Sequence, residues 1–397
     1  MRPAAPPSRA GAAGWARAVL AGQEAVGLLR APRARAGGSG PRAVVAGRAV
    51  VVLSSNDYLG LAADPRVRRA AAEAALALGA GSTGSRHLSG CHEEIVLLEA
   101  ELCAFEGAAT ATLAPSGYQA NVAVLQALGG PDAVVLSDER NHASIIDGCR
   151  LSRSAVEVYR HADLDDLAAR LGRAERRPIV VSDTVFSMDG DVADVAGLLA
   201  LARRHEAWLV LDEAHATGVL GPGGRGAAAE ARLDPADERL VRVVTLSKAL
   251  GAAGGAVLGA AVVRQLLLQR GRALIFSTSP PHPAVAAARA ALAVLAAEPE
   301  RVERARALAL RLRAGLRPLV AGGRPDVPIV PVIAGDAGRA VALERRLLDA
   351  GYLVQAVRPP TVAPGTSRLR LVPTTAHTEA EIDGAAAALR AALEAGP

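Results

Sequence analysis

Trp208-Leu209-Val210-Leu211-Asp212-Glu213-Ala214-His215 is a run of four large apolar residues closed by a carboxylate, with an imidazole three positions later. A short apolar run of this kind reads as a strand buried on both faces, because a strand with one wet face would alternate with polar residues. Ile179 to Val181 and Val241 to Leu246 have the same character, and helical patterns such as Val195 to His205 lie between the runs. Strands alternating with helices predict an α/β fold. Its central sheet is expected to be mostly parallel and covered by helices on both sides, with ligands at the carboxyl ends of the strands. The residues able to do chemistry fall at those ends.

The 397 residues are 51% hydrophobic and 21% charged, a globular composition long enough for two or three domains of about 150 residues each. Disordered, collagen-like and disulfide-scaffold proteins are excluded. Residues 1–50 read as an N-terminal extension with a helix near Trp15 to Leu29 and a hairpin-like stretch from Gly37 to Leu53, without a core of its own. Residues 51–285 hold the strand and helix alternation. From 286 to 397 the pattern changes to a long Ala, Leu and Arg helix, then Gly- and Pro-punctuated strands, then a terminal helix from about Glu379, as expected of a smaller α+β domain. The first 22 residues lack the apolar core of a secretory signal. The longest uncharged apolar stretch, Ala249 to Val263, is broken by four glycines and is shorter than the ~18 residues a membrane span needs. Cys91, Cys103 and Cys149 have no zinc-site spacing and read as reduced, mostly buried thiols. A cytoplasmic protein with no metal and no membrane contact is expected.

The formal charge is +5, but the arginines alternate with acids, as from Arg301 to Arg313, and aromatics make up only 2% of the chain. A basic stripe with stacking aromatics is missing, which argues against nucleic acid. A mild positive charge suits small anionic substrates. Of 45 cationic residues, Lys248 is the sole lysine. It stands in Val243-Val244-Thr245-Leu246-Ser247-Lys248-Ala249-Leu250-Gly251, after a buried strand and before Gly-rich turns, where a side chain can project into a cleft. A desolvated lysine can lose its proton and an arginine effectively cannot. Lysine here therefore points to an amine nucleophile that forms a Schiff base.

Asp212 could pair with the protonated ring nitrogen of a pyridoxal phosphate, keeping the ring an electron sink, with His215 reaching the phenolic oxygen. Asp-x-x-His after a strand is equally a helix cap or a metal-ligand pair, and the lysine 36 residues on favours the cofactor. In Ala114-Pro115-Ser116-Gly117-Tyr118-Gln119-Ala120-Asn121, backbone N–H groups open a helix, a geometry that binds phosphate, although an ordinary Ser-capped turn reads the same way. Thr245, three residues before the lysine, is a second candidate phosphate donor. His142, after the strand Ala133 to Ser137, could stack on a planar ring or be a loop histidine. Ser187, after another strand, offers a hydroxyl to the same cleft or belongs to a structural turn.

These segments together resemble the α-oxoamine synthases, a group of fold-type I pyridoxal phosphate enzymes. The resemblance runs from about Trp15 to Thr378. It rests on Ser55-Asn56-Asp57-Tyr58-Leu59-Gly60, Asn141-His142-Ala143-Ser144-Ile145-Ile146-Asp147-Gly148 and Phe186-Ser187-Met188-Asp189-Gly190-Asp191, ordered and spaced as in that group. Members condense an amino acid with an acyl-CoA, lose CO2 and release an aminoketone. Gly81 to Arg86, Ser116 to Asn121, Thr245 to Gly251 and Phe276 to Pro281 are most similar to the branch that joins L-alanine to pimeloyl-CoA, or a pimeloyl carrier protein, in biotin synthesis. The glycine acetyltransferase, 5-aminolevulinate and serine palmitoyl branches match less well there.

The resemblance implies a pyridoxal 5'-phosphate cofactor and a homodimer with its active site at the subunit interface. It makes Lys248 the Schiff-base lysine, Asp212 the pyridine partner and His142 the stacking residue. Ser187 and His215 approach the phenolic oxygen, and Gly117, Tyr118 and Thr245 serve the phosphate, with Thr278 reaching it from the neighbouring subunit. Arg370 would hold the amino-acid carboxylate with a bidentate fork, and Arg30, Asn56 and Thr361 would contact substrate. Ser247 stands where many members have glycine and Asp183 where some have glutamate, and neither is expected to abolish activity. The alternatives are another amino acid and acyl-CoA pair, including one of secondary metabolism, and a silent scaffold, which the presence of Lys248, Asp212 and His142 disfavours.

Overall fold

A computed structural model describes residues 11–320 and 322–395, so the first ten residues of the expected N-terminal extension lie outside the described residues. The chain opens with a helix at Ala12–Ala25, shorter at its end than the pattern to Leu29 suggests, because Gly27 turns the backbone with a φ of 68°. Three strands follow: β1 (Arg35–Ala36), β2 (Arg42–Val45) and β3 (Arg48–Val52), with β2 and β3 forming the expected hairpin. The central sheet comprises β4 (Thr110–Ala114), β5 (Ala133–Asp138), β6 (Ala155–Tyr159), β7 (Arg177–Asp183), β8 (Trp208–Asp212), β9 (Leu240–Thr245) and β10 (Gly255–Gly259). Their order is β4-β10-β9-β8-β7-β5-β6. Every pair from β9 across to β6 is parallel, and β10 alone runs against both its neighbours. The sheet is thus mostly parallel, as the alternation predicts.

The two faces explain the apolar runs. Leu209 and Leu211 on β8, Val180 on β7, and Leu240 and Val244 on β9 enter one core cluster. Val210, Ile179, Val181, Val241 and Val243 enter the opposite one. Arg242 interrupts the β9 run and yet is buried. Its guanidinium donates to the Glu106 carboxylate and to the Glu106 carbonyl, both at 2.9 Å, which supplies partners for a charge taken from water.

Val330–Gly335 (β11), Tyr352–Leu353 (β12), Gln355–Val357 (β13) and Ser367–Leu371 (β14) follow. Strand β14 lies centrally between β11 and β13, and β12 pairs in parallel with β3, which ties the N-terminal segment to the C-terminal region. The terminal helix, Glu379–Glu394, starts on a capping box formed by Thr378 and Glu381. The helix expected to open the smaller domain packs on the large core. The Ala-rich helix His282–Ala297 sends Val285, Ala288, Ala291, Leu292 and Leu295 into the large cluster, as do Val302 and Ala305 of the next helix. Leu308, Leu312 and Leu316 enter the smaller one, together with Leu53. We therefore propose that the division falls within the helix Glu300–Gly315.

The three cysteines are free, and Cys91 is exposed rather than buried, while Cys149 is buried and Cys103 half-buried. No helix among the described residues is long and apolar enough to cross a membrane. Replacing one partner of the buried pair should be costly. Arg242→Met leaves the buried Glu106 without its guanidinium partner and should lower unfolding free energy in urea by about 3–5 kcal/mol. The double variant Glu106→Gln, Arg242→Met should recover part of that loss.

Candidate active site

The parallel strands deliver three carboxylates to one edge. β5 ends at Asp138, β7 at Asp183 and β8 at Asp212, with Asp183 and Asp212 in register. Asp212 is held firmly: Asn121 Nδ2 donates to Oδ2 at 2.6 Å and the Ala214 N–H to Oδ1 at 2.8 Å. Asn121 Nδ2 also donates to Ser144 Oγ at 2.9 Å. Ser144 gives both its backbone N–H and its hydroxyl to His142 Nδ1, at 3.2 and 2.7 Å. An Nδ1 that accepts leaves the proton of a neutral His142 on Nε2. Burial pulls the His142 pKa below its ordinary value, and the nearby Lys248 charge adds to that pull against Asp212. The His142 N–H donates to Asp183 Oδ2 at 2.7 Å, and burial together with the Asp212 charge raises the Asp183 pKa well above the carboxylate range.

Lys248 follows β9 in the turn that begins at Leu246 and is half-buried, as its position after a strand suggests. Its Nζ lies 2.8 Å from His215 Nε2, and His215 Nδ1 lies 2.6 Å from the Tyr58 hydroxyl. Burial brings the Lys248 pKa down to about 8, although Asp212 and Asp183 favour its charged form. Burial, with Lys248 and Arg370 nearby, holds His215 well below the usual imidazole value.

Arg370 arrives from β14. It donates to Ser187 O at 2.5 Å, to Asn56 Oδ1 at 2.9 Å and to the Tyr58 hydroxyl at 3.4 Å. Beside it a cleft of about 410 Å³ is lined in part by Asn56, Ser55, Asp57 and Ser247. Gly117 opens the helix Gly117–Leu128 behind the cap Ser116, so its first amides are beyond any intrahelical carbonyl. A methyl group at Gly117 would sit 3.2 Å from both Cβ and Oγ1 of Thr245, so glycine lets the helix end meet that hydroxyl. Tyr118 packs edge-on to His142, with ring centroids 6.5 Å apart, and donates its hydroxyl to Asp147.

The structure thus gathers Lys248, Asp212, His142, His215, Arg370, Asn56 and Ser187 at the carboxyl edge, with Gly117 and Thr245 adjoining. Arg30 and Thr361 stand apart from that edge, as does Thr278, which is expected at the neighbouring subunit's site. Thr278 is exposed and bridges to Ser85. Arg30 donates to the carbonyls of Arg358 and Pro359, and Thr361 stands exposed in the same turn. Tyr58 and Asn121 join the site without any spacing rule to reveal them, because their partners His215 and Asp212 lie 157 and 91 positions away.

The donor set suits pyridoxal phosphate. A half-buried amine has its pKa brought down to about 8, an anchored carboxylate stands close by, and a helix start lies tight against a hydroxyl, 3.2 Å from where a side chain at Gly117 would begin. Asn121 Oδ1 is buried with no hydrogen-bond partner, which leaves an acceptor beside Asp212.

The model of the aminotransferase class I and II family matches residues 48–389. The chain is 49% identical over 385 residues to an 8-amino-7-oxononanoate synthase of Anaeromyxobacter dehalogenans, covering 96% of each. Among solved structures it resembles the serine palmitoyltransferase of Sphingomonas wittichii, with a TM-score of 0.91, 31% identity and 97% and 99% of the two chains covered. A serine palmitoyltransferase structure containing pyridoxal phosphate gives a TM-score of 0.87 at 33% identity, covering 92% of each chain. The chain belongs to the aminotransferase class I and II family, among its α-oxoamine synthases, which are pyridoxal phosphate-dependent acyltransferases.

Because Lys248 is the sole lysine, its titration can be read directly. In the apoprotein labelled with 15N-lysine, the single side-chain resonance should titrate near pH 8. Asp212→Asn removes a charge that favours the ammonium and should move that midpoint lower. An unchanged midpoint would mean that Asp212 does not act on the amine.

Proposed function

We propose that the chain condenses L-alanine with pimeloyl-CoA, or a pimeloyl carrier protein, to 8-amino-7-oxononanoate with release of CoA and CO2, serving biotin biosynthesis in the cytoplasm. The observation that carries this reading is 49% identity, over 96% of the chain, to a relative of that name. The presence of Arg370 within reach of the Lys248 cluster supports it.

In this reading Lys248 holds the cofactor through its amine and Asp212 pairs with its ring nitrogen. His142 lies on the ring face, and Ser187 and His215 approach its phenolic oxygen. The amides of Gly117 and Tyr118 and the hydroxyl of Thr245 serve its phosphate. When bound, the group supplies an electron sink for breaking bonds at the amino-acid α-carbon.

The chain's own residues do the rest. The Arg370 guanidinium, with donors already aimed at Asn56 and Ser187, turns its planar fork to the amino-acid carboxylate. Once the substrate amine displaces it, Lys248 Nζ is free to take the α-proton. An amine that titrates near pH 8 is suited to accept and return a proton at neutral pH. Asp212, fixed by Asn121 and Ala214, stays in place to hold the opposing positive charge. Arg30 and Thr361, joined at the turn after Arg358, are assigned to the acyl donor. The exposed Thr278 is assigned to the neighbouring subunit's phosphate in a homodimer. A related reading keeps the chemistry and changes the amino acid or acyl group.

Free thiol release by the cofactor-loaded protein tests the substrates. Release with L-alanine and pimeloyl-CoA, and not with glycine, serine or acetyl-CoA, is the expected result, and release confined to another pair would overturn the substrate assignment. Lys248→Ala should abolish turnover. Arg370→Lys loses bidentate geometry and should cost about 1.5–3 kcal/mol in kcat/KM for alanine, roughly tenfold to a hundredfold.

A further inference from the structure

His161 lies outside the cluster around Lys248, in the turn that follows β6, and its side chain is only 12% exposed. Both ring nitrogens face carboxylates: Nδ1 is 3.0 Å from Asp138 Oδ1 and Nε2 is 2.6 Å from Asp191 Oδ2. A neutral imidazole has one N–H, so only the imidazolium donates to both. Burial opposes that charge, but the bonds to Asp138 and Asp191 outweigh it and carry the pKa up to about 9. The ring also meets Phe186 edge-on, with centroids 4.4 Å apart.

The two carboxylates belong to different parts of the molecule. Asp138 ends β5 and is fixed by the N–H groups of Arg140 and Ala162, both at 2.8 Å. Asp191 closes the turn Phe186 to Asp191, whose ends are joined by the Phe186 N–H donating to the Asp191 carbonyl at 3.0 Å. That turn carries Ser187, whose carbonyl accepts from Arg370, and Asp189, which pairs with Arg368. Through it the sheet edge meets β14.

We propose that His161 is a positioning residue. As a doubly donating imidazolium it staples the Phe186 to Asp191 turn to the end of β5, and so holds the Ser187 carbonyl where it orients the Arg370 guanidinium. The contribution to catalysis rests on the reading of Arg370 as the carboxylate anchor. Nothing reacts at His161 itself.

His161→Phe keeps a ring against Phe186 and removes both donors. Asp191→Ala removes the acceptor and so breaks the staple from the other side, and serves if the first variant folds poorly. Two measurements on the cofactor-loaded enzyme decide the matter. Amide hydrogen exchange across residues 186–191 should quicken by about tenfold in either variant. The KM for the amino acid should rise about tenfold while kcat changes by less than about threefold. Unchanged exchange, or faster exchange with KM unmoved, overturns the proposal provided Arg370→Lys, assayed alongside, does raise that KM. If Arg370→Lys leaves KM unmoved, the carboxylate reading fails, and exchange alone then decides whether His161 holds the turn.

Discussion

A carboxylate at the end of a buried strand is costly unless its oxygens are met by donors, and Asp212 is the constraint around which this molecule is arranged. Its two oxygens take Asn121 Nδ2 and the Ala214 N–H. Asn121 belongs to the helix that Gly117 opens, so satisfying Asp212 also fixes where that helix begins. The helix start then lies close to Thr245, where a side chain at Gly117 would be a tight fit. The same amide reaches Ser144 and through it the His142 ring. One buried carboxylate is thus linked both to the His142 imidazole and to the start of the helix Gly117–Leu128.

The site also depends on a residue from a different core. Arg370 is borne on β14, whose Leu369 and Leu371 enter the smaller cluster, yet its donors reach Asn56, Tyr58 and Ser187. Relative movement of the two cores would displace the guanidinium. Besides the helix Glu300–Gly315, which is buried in both cores, polar and directional contacts oppose such movement, among them the pairing of Arg368 with Asp189 and the Arg324 N–H donating to the Gly190 carbonyl at 2.8 Å. Both converge on the Phe186 to Asp191 turn. These contacts explain how a short segment, anchored by the buried Phe186 and hydrogen-bonded to β5 through His161, bears on the geometry of a distant strand.

The sheet was legible because β7 and β8 bury both faces and so appear as unbroken apolar runs with a carboxylate at the end. β9 was legible despite Arg242, whose partner Glu106 lies 136 positions away and leaves no trace in local pattern. Lys248, Asp212 and His142 stood out because each follows a strand, where parallel topology must bring side chains to one edge. Tyr58, Asn121 and His161 did not, since their roles arise from pairings across the fold rather than from spacing. The packing of the chain just past residue 286 was illegible for a related reason. An Ala-rich helix looks alike on either core, and only packing decides that His282–Ala297 faces the large one.

The scarcity of lysine can be weighed against the geometry. Elsewhere the chain meets its need for positive charge with guanidinium groups, which stay ionised and grip carboxylates in forks, as Arg86 does on Glu99 and Arg289 on Glu101. At position 248 the same choice would fail for a physical reason. Burial carries the amine to about 8, so near neutrality an appreciable fraction is unprotonated, whereas a guanidinium with a pKa above about 12 would keep its proton in the same surroundings. His215, itself held neutral, can exchange hydrogen bonds with either form of that amine. Lys248, the sole lysine of the chain, thus stands where the proposed reaction asks a side chain to give up its charge.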